Sequence, residues 1–135
     1  HPMDRYTGRC LCGQVQISAV GQPDRVGICH CLDCRRHHGA LFYAAAVFSH
    51  DVVTITGETH DFDGRFSCPS CGSSVFARSD DDVEIHLGAL DAADDLVPTY
   101  ELWTIRRAPW LPAFAGMTQY DRGREAIDRT QDKMP

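Results

Sequence analysis

Residues 29 to 39 read CHCLDCRRHHG: three cysteines in six positions, with two arginines and two histidines close behind. Thiolates crowded this closely repel one another unless a cation sits among them, and Zn²⁺ is the usual cation for such sulfur sets. Four more cysteines stand in two further clusters, Cys10 and Cys12 in GRCLCG and Cys68 and Cys71 in CPSCG. A structural zinc takes four protein ligands in a tetrahedron, and joining the two pairs supplies four while leaving every local cluster whole. Cys10, Cys12, Cys68 and Cys71 are therefore expected to form one closed metal site. Glycine follows each pair at once, as Gly13 and Gly72. That suits a turn in which backbone N–H groups swing toward sulfur and φ is positive.

Cys29, Cys31 and Cys34 are what remains. Three protein ligands with one position left over describe a catalytic zinc, because an incoming thiol, carbonyl or water can take the fourth place. The competing reading is that His30, His37 or His38 closes the shell and makes an inert site. His30 lies between two ligands and is expected to point away from their metal; His37 and His38 are better placed if a short helix follows Cys34. Disulfides are set aside, since seven is an odd count and the chain shows no export signal, so the thiols should be reduced. A redox or zinc-storage role for the CxCxxC thiols is disfavoured, because the motif lacks the strand-to-helix setting of a thioredoxin-like pair.

Three thiolates around Zn²⁺ leave a net negative charge, which a fourth thiolate deepens. Arg35 and Arg36 are close enough in sequence to offset it and to bind an anionic co-substrate. Arg106 and Arg107 could meet a substrate carboxylate. For each of the four the plain alternative is a solvated charge or an ion pair with one of the 19 acidic residues. Trp103, Trp110 and Phe114 line a pocket or, more simply, pack a core.

The elements that must carry these residues read as strands. GQVQISA, VTITGE and VEIHLGAL alternate at period two, LFYAAAVF is a short buried run, and SSVFAR and TYELWTI add two more. Helix is expected only over 32–38 and 91–96. The fold class is thus all-β or β-rich, stapled by metal. With 135 residues, 43% of them hydrophobic, the chain has the size of one domain, expected over 3–120, with a polar tail over 121–135. His1 and Pro2 ahead of Met3 read as a remnant of cloning and carry no weight as ligands. A net charge of -6 argues against nucleic acid as a partner. No apolar run reaches membrane-spanning length, and a cytoplasmic location is expected. Only one of the 13 basic residues is a lysine, a bias that points to a bacterium.

The segments GRCLCGQVQ, CHCLDCRRHHGALF, FSCPSCGSSVF, LGALD and ELWTIRRAPWL, in this order and spacing, resemble the glutathione-dependent formaldehyde-activating enzyme family, whose domain is shared with a eukaryotic centromere protein. The resemblance runs from about Arg9 to Trp110. It implies an Mss4-like β fold, a structural zinc on Cys10, Cys12, Cys68 and Cys71, and a catalytic zinc on Cys29, Cys31 and Cys34. It also implies a carbon–sulfur lyase that joins glutathione, or another small thiol, to formaldehyde or another small aldehyde. A non-catalytic binding module of the same fold, with both zincs structural, is the alternative.

Overall fold

A computed structural model describes residues 4–124; residues 1–3 and residues 125–135 of the expected tail lie outside the described residues. Eleven strands are found there: β1 (Arg5–Arg9), β2 (Gln16–Val20), β3 (Arg25–Cys29), β4 (Tyr43–Ser49), β5 (Val53–Thr56), β6 (His60–Phe62), β7 (Arg65–Ser67), β8 (Ser74–Ser79), β9 (Asp82–His86), β10 (Tyr100–Leu102) and β11 (Thr118–Gln119). A single α-helix, α1 (Leu32–His38), joins them, together with four one-turn 3₁₀ helices. The protein is β-rich, as its alternating segments require.

The chain folds into two compact units. The first takes residues up to 25 and 45–97. It holds an antiparallel sheet of order β1-β2-β5, with Thr7 opposite Ser18 and Ser18 opposite Thr54. Tyr6, Ile17 and Ala19 face inward from it and the polar residues face out, the period-two pattern of a half-buried sheet. It also holds the antiparallel run β4-β9-β8-β7-β6. Ala45, Ala46, Val47 and Phe48 of β4 are all buried, which is why this segment reads as a continuous apolar run. Phe76 stacks on Phe66 at 4.5 Å, and Tyr6 meets Phe48 at 6.1 Å. Gly8 is needed where β1 passes the 87–90 turn, since a Cβ there would lie 2.3 Å from the Ala89 carbonyl oxygen.

The second unit takes residues 26–44 and those from 98 on. Here β10 lies parallel to both β3 and β11. The sequence does not announce β3, because Gly27 sits in the middle of RVGIC and glycine weakens a strand signal. The structure supplies the reason for the glycine: the Tyr100 ring occupies the place of a Cβ, within 2.1 Å. Helix α1 covers the predicted residues 32–38. Its N-cap is Cys31, whose sulfur accepts the Cys34 N–H at 3.2 Å, and it ends on Gly39 in the left-handed region at φ 68. The helix expected over 91–96 is one 3₁₀ turn, Ala93–Asp95. Six residues are too few to repay helix nucleation, and Pro98 follows closely. No helix among the described residues is long and apolar enough to cross a membrane.

Candidate metal centres

In the first unit, two turns of the same design face each other. Cys10 N–H bonds the Val15 carbonyl at 3.0 Å, Gly13 N–H returns to the Cys10 carbonyl at 3.1 Å, and the Val15 N–H points at the Cys10 sulfur at 3.2 Å. Around Cys68 the pattern repeats: Cys68 N–H to the Ser73 carbonyl, Gly72 N–H to the Cys68 carbonyl, and the Ser70 and Cys71 N–H groups on the Cys68 sulfur at 3.3 and 3.4 Å. Gly13 at φ 85 and Gly72 at φ 79 adopt the backbone that the sequence anticipates for them. Leu11 N–H to the Ser73 hydroxyl, and the Ser70 hydroxyl to Gln14, tie one turn to the other.

The four sulfurs of Cys10, Cys12, Cys68 and Cys71 lie within 4.8 Å of one another. Cys12 is 3.6 Å from Cys10 and 3.7 Å from Cys68. A zinc tetrahedron with bonds of about 2.3 Å sets its sulfurs about 3.8 Å apart, so this donor set fits zinc. The electrostatics lean the same way. Burial opposes ionisation of Cys10, but the Val15 N–H and the Cys12 and Cys68 thiols outweigh it and hold Cys10 below its ordinary value. The Ser73 hydroxyl and N–H hold Cys71 down at about 5. Cys12 goes the other way: the Gln14 N–H lowers it, but the Cys10 sulfur, burial and the two remaining thiols push it up to about 11. A thiol set whose members shift in opposite directions shares protons, as neighbouring anions must without a cation.

In the second unit, the sulfurs of Cys29, Cys31 and Cys34 also lie within 4.8 Å of one another. Among the described residues no histidine, aspartate or glutamate atom joins this group. Cys31 and Cys34 are 2.8 Å apart, about 1 Å closer than zinc would hold them, so binding a metal here means spreading the sulfurs. The Cys31 thiol and then burial push Cys29 up to about 12, and Cys29 and Cys31 push Cys34 up further.

A family model described as glutathione-dependent formaldehyde-activating enzyme matches residues 5–106. The chain belongs to this family. A protein named as an uncharacterized lyase, from Schizosaccharomyces pombe (strain 972), is 25% identical over 79 residues, which cover 55% of this chain and 58% of that protein. The chain thus spans less than two thirds of the curated relative it matches.

Around the second cysteine cluster, the residues singled out from the sequence separate. Arg35 is half-buried and donates to the Arg106 carbonyl at 3.4 Å, while Arg36 is exposed. Arg107 turns to Glu101 at 3.4 Å and to Gln119, so it belongs to an internal network. Trp103 is buried and packs with Cys29 and Cys31, with Tyr43, Leu102 and Cys34 beside them. Trp110 is exposed, and Phe114 meets Phe42 at 5.6 Å. Burial first, and then His37, lower His38 to about 4, so its ring is neutral near pH 7. It lies edge-on to Tyr43 at 5.0 Å.

His30 points away from the sulfur group, as its place between two ligands suggests. Its Nε2 lies 2.7 Å from Glu101 Oε1, with both side chains fully buried. Glu101 is the residue that sequence reasoning missed. Its carboxylate also accepts from Gln119 Nε2 at 2.7 Å and from the Phe114 N–H at 3.0 Å. Burial alone would raise its pKa, but Gln119, His30, the Phe114 N–H and the Arg107 charge outweigh that and lower it. The available signal was faint: in TYELWTI the period-two pattern puts Glu101 in phase with Trp103.

Proposed function

We propose that the chain is a zinc-dependent carbon–sulfur lyase, adding a thiol such as glutathione to a small aldehyde, or reversing that addition, at Cys29, Cys31 and Cys34. Cys10, Cys12, Cys68 and Cys71 form the structural site of the same reading. The observation that carries it is the difference between a group of four sulfurs and a group of three that, among the described residues, no histidine or carboxylate joins. Zinc at the three-sulfur group would supply a Lewis acid that favours the thiolate form of the incoming thiol.

The chain's own residues supply the rest. The turn from Cys29 into α1 already gathers the three sulfurs within 4.8 Å of one another, so metal binding needs only a local spreading of Cys31 and Cys34 and orders little new chain. Trp103 and Tyr43 keep water from one side of the group, which strengthens electrostatic interactions there. Arg35 and Arg36 counter the negative charge that a bound thiolate adds, and exposed Arg36 is free to meet a carboxylate of a thiol such as glutathione. Reduced thiols of this kind fit a cytoplasmic location.

Cobalt placed at the three-sulfur group and titrated with glutathione tests the proposal. The expected result is a change in sulfur-to-cobalt absorption from that group alone. Exchange of formaldehyde with its glutathione adduct, followed by NMR, should also run faster with the wild-type protein than with Cys34→Ala. Absence of any spectral change would favour the non-catalytic binding module.

A further inference from the structure

Three consecutive residues at the end of β10 each engage the second cysteine cluster in a different way. Glu101 accepts a hydrogen bond from the His30 side chain at 2.7 Å, and His30 is the residue between Cys29 and Cys31. Leu102 stands opposite Cys29 in the parallel register, and its carbonyl accepts the His30 N–H at 3.0 Å. Trp103 packs directly against Cys29 and Cys31.

Two features of this segment are energetically expensive. Trp103 sits at φ 54, ψ 46, in the left-handed region. The other non-glycine residues with positive φ among the described ones are Asp63 and Asp80, in hairpin turns where a short polar side chain tolerates it. A bulky indole does not, and such a residue persists only where its surroundings over-determine it. They do so here: Trp103 N–H bonds the Arg122 carbonyl at 3.0 Å, its carbonyl accepts the Arg106 N–H at 2.9 Å, and Thr104 N–H bonds the Tyr120 carbonyl at 3.1 Å. The second feature is the fully buried Glu101 carboxylate with donors on both oxygens. Apolar residues of similar volume usually stabilise a core at least as well as a buried charge network does. What the network does supply is a fixed geometry beside the sulfurs.

We propose that Glu101, Leu102 and Trp103 form a positioning template for the second cysteine cluster: Glu101 fixes His30, and with it the backbone between Cys29 and Cys31, while Trp103 walls the sulfurs from water. Glu101 is a positioning residue that acts through His30 and touches no reactant. The inference rests on the lyase reading only in treating this cluster as the reactive one; its own content is metal geometry, and turnover is not needed to test it.

The test fills the four-sulfur group with one equivalent of zinc and then titrates cobalt into the three-sulfur group of Glu101→Gln, Trp103→Gly and Trp103→Phe. Glu101→Gln and Trp103→Gly are expected to weaken cobalt roughly ten- to a hundredfold and to alter its absorption, the usual scale for residues that orient metal ligands. Glycine suits a left-handed backbone, so a loss in Trp103→Gly reports the missing indole. Trp103→Phe should restore most of the affinity. Wild-type affinity and absorption in both Glu101→Gln and Trp103→Gly would overturn the template. So would loss of both metals together, because the segment would then serve the whole fold. A second measurement leaves the site untouched. The chain has two tryptophans, so Trp110→Phe makes Trp103 the sole emitter, and cobalt at the three-sulfur group should quench it strongly; unquenched emission would also overturn the proposal. If wild-type cobalt binds normally yet glutathione leaves its spectrum unchanged, the lyase reading fails and the template stands.

Discussion

Cys12 and Cys68 stand 56 positions apart in the chain and 3.7 Å apart at sulfur; Cys31 and Cys34 stand three positions apart and 2.8 Å apart. The first group is closed by tertiary structure, with two matching turns that direct N–H groups at their own leading sulfurs. The second group is closed by local chain geometry, a strand end running into a helix whose cap is itself one of the cysteines. A metal in the first group links distant segments and so contributes directly to folding. A metal in the second links residues that are neighbours already, and it adds little to the fold. The difference teaches where chemistry can be placed without endangering structure: on the cluster whose assembly the fold does not depend on.

The sharpest way to break that comparison is Cys68→Ala. It removes the sulfur that accepts two N–H groups and neighbours Cys12. Zinc in such sites is worth on the order of 10 kcal/mol apparent, comparable to the stability of a whole domain. The variant should lose one zinc per chain and show no cooperative thermal transition. Cys34→Ala comes next. At a half-buried position in the first turn of α1 it should cost on the order of 1 kcal/mol, so the melt stays cooperative while the second metal and the proposed thiol-addition activity disappear. If both variants melt alike, the division of labour between the two groups is wrong.

Acid should separate the groups as well. A thiol whose pKa is raised holds its proton more tightly and yields less readily to metal, whereas a depressed one is already ionised. In the three-sulfur group the neighbouring thiols and burial push both Cys29 and Cys34 up, whereas in the four-sulfur group the raised Cys12 is set against two lowered thiols, Cys10 and Cys71, the latter held down at about 5 by Ser73. As pH falls, metal should therefore leave the three-sulfur group first, read by a chelating dye at stepped pH; simultaneous release would erase the contrast. The smallest effect belongs to Arg36→Ala. An exposed side chain here should change stability by no more than about 0.5 kcal/mol, yet raise the KM for glutathione by a factor of about 2 to 5, the worth of one exposed charge pair.

Much of this molecule is legible in its residues. Helix α1 was readable over 32–38 because its stop signal, Gly39, and its basic last turn are both local. The buried run of β4 and the alternation of β2, β5 and β9 were readable because burial there follows strand periodicity. β1, β3 and the β6–β7 hairpin were not. β3 is diluted by Gly27, which only the position of the Tyr100 ring explains, and β6 exposes all three of its residues, leaving no apolar pattern to detect. Of the arginines near the second cluster, Arg107 is drawn inward by Glu101, a contact no spacing rule anticipates.

The sequence by itself determined how the seven cysteines divide into four and three, because ligand sets are written in short spacings and a tetrahedron takes only four. Tertiary structure alone decided what surrounds the group of three. His30 and Glu101 are 71 positions apart, and the strand phase that Glu101 shares with Trp103 is too faint a signal to mark a glutamate as buried. Nor does anything local place a tryptophan in a left-handed turn; that conformation exists only because the 120–122 segment comes back to hold it.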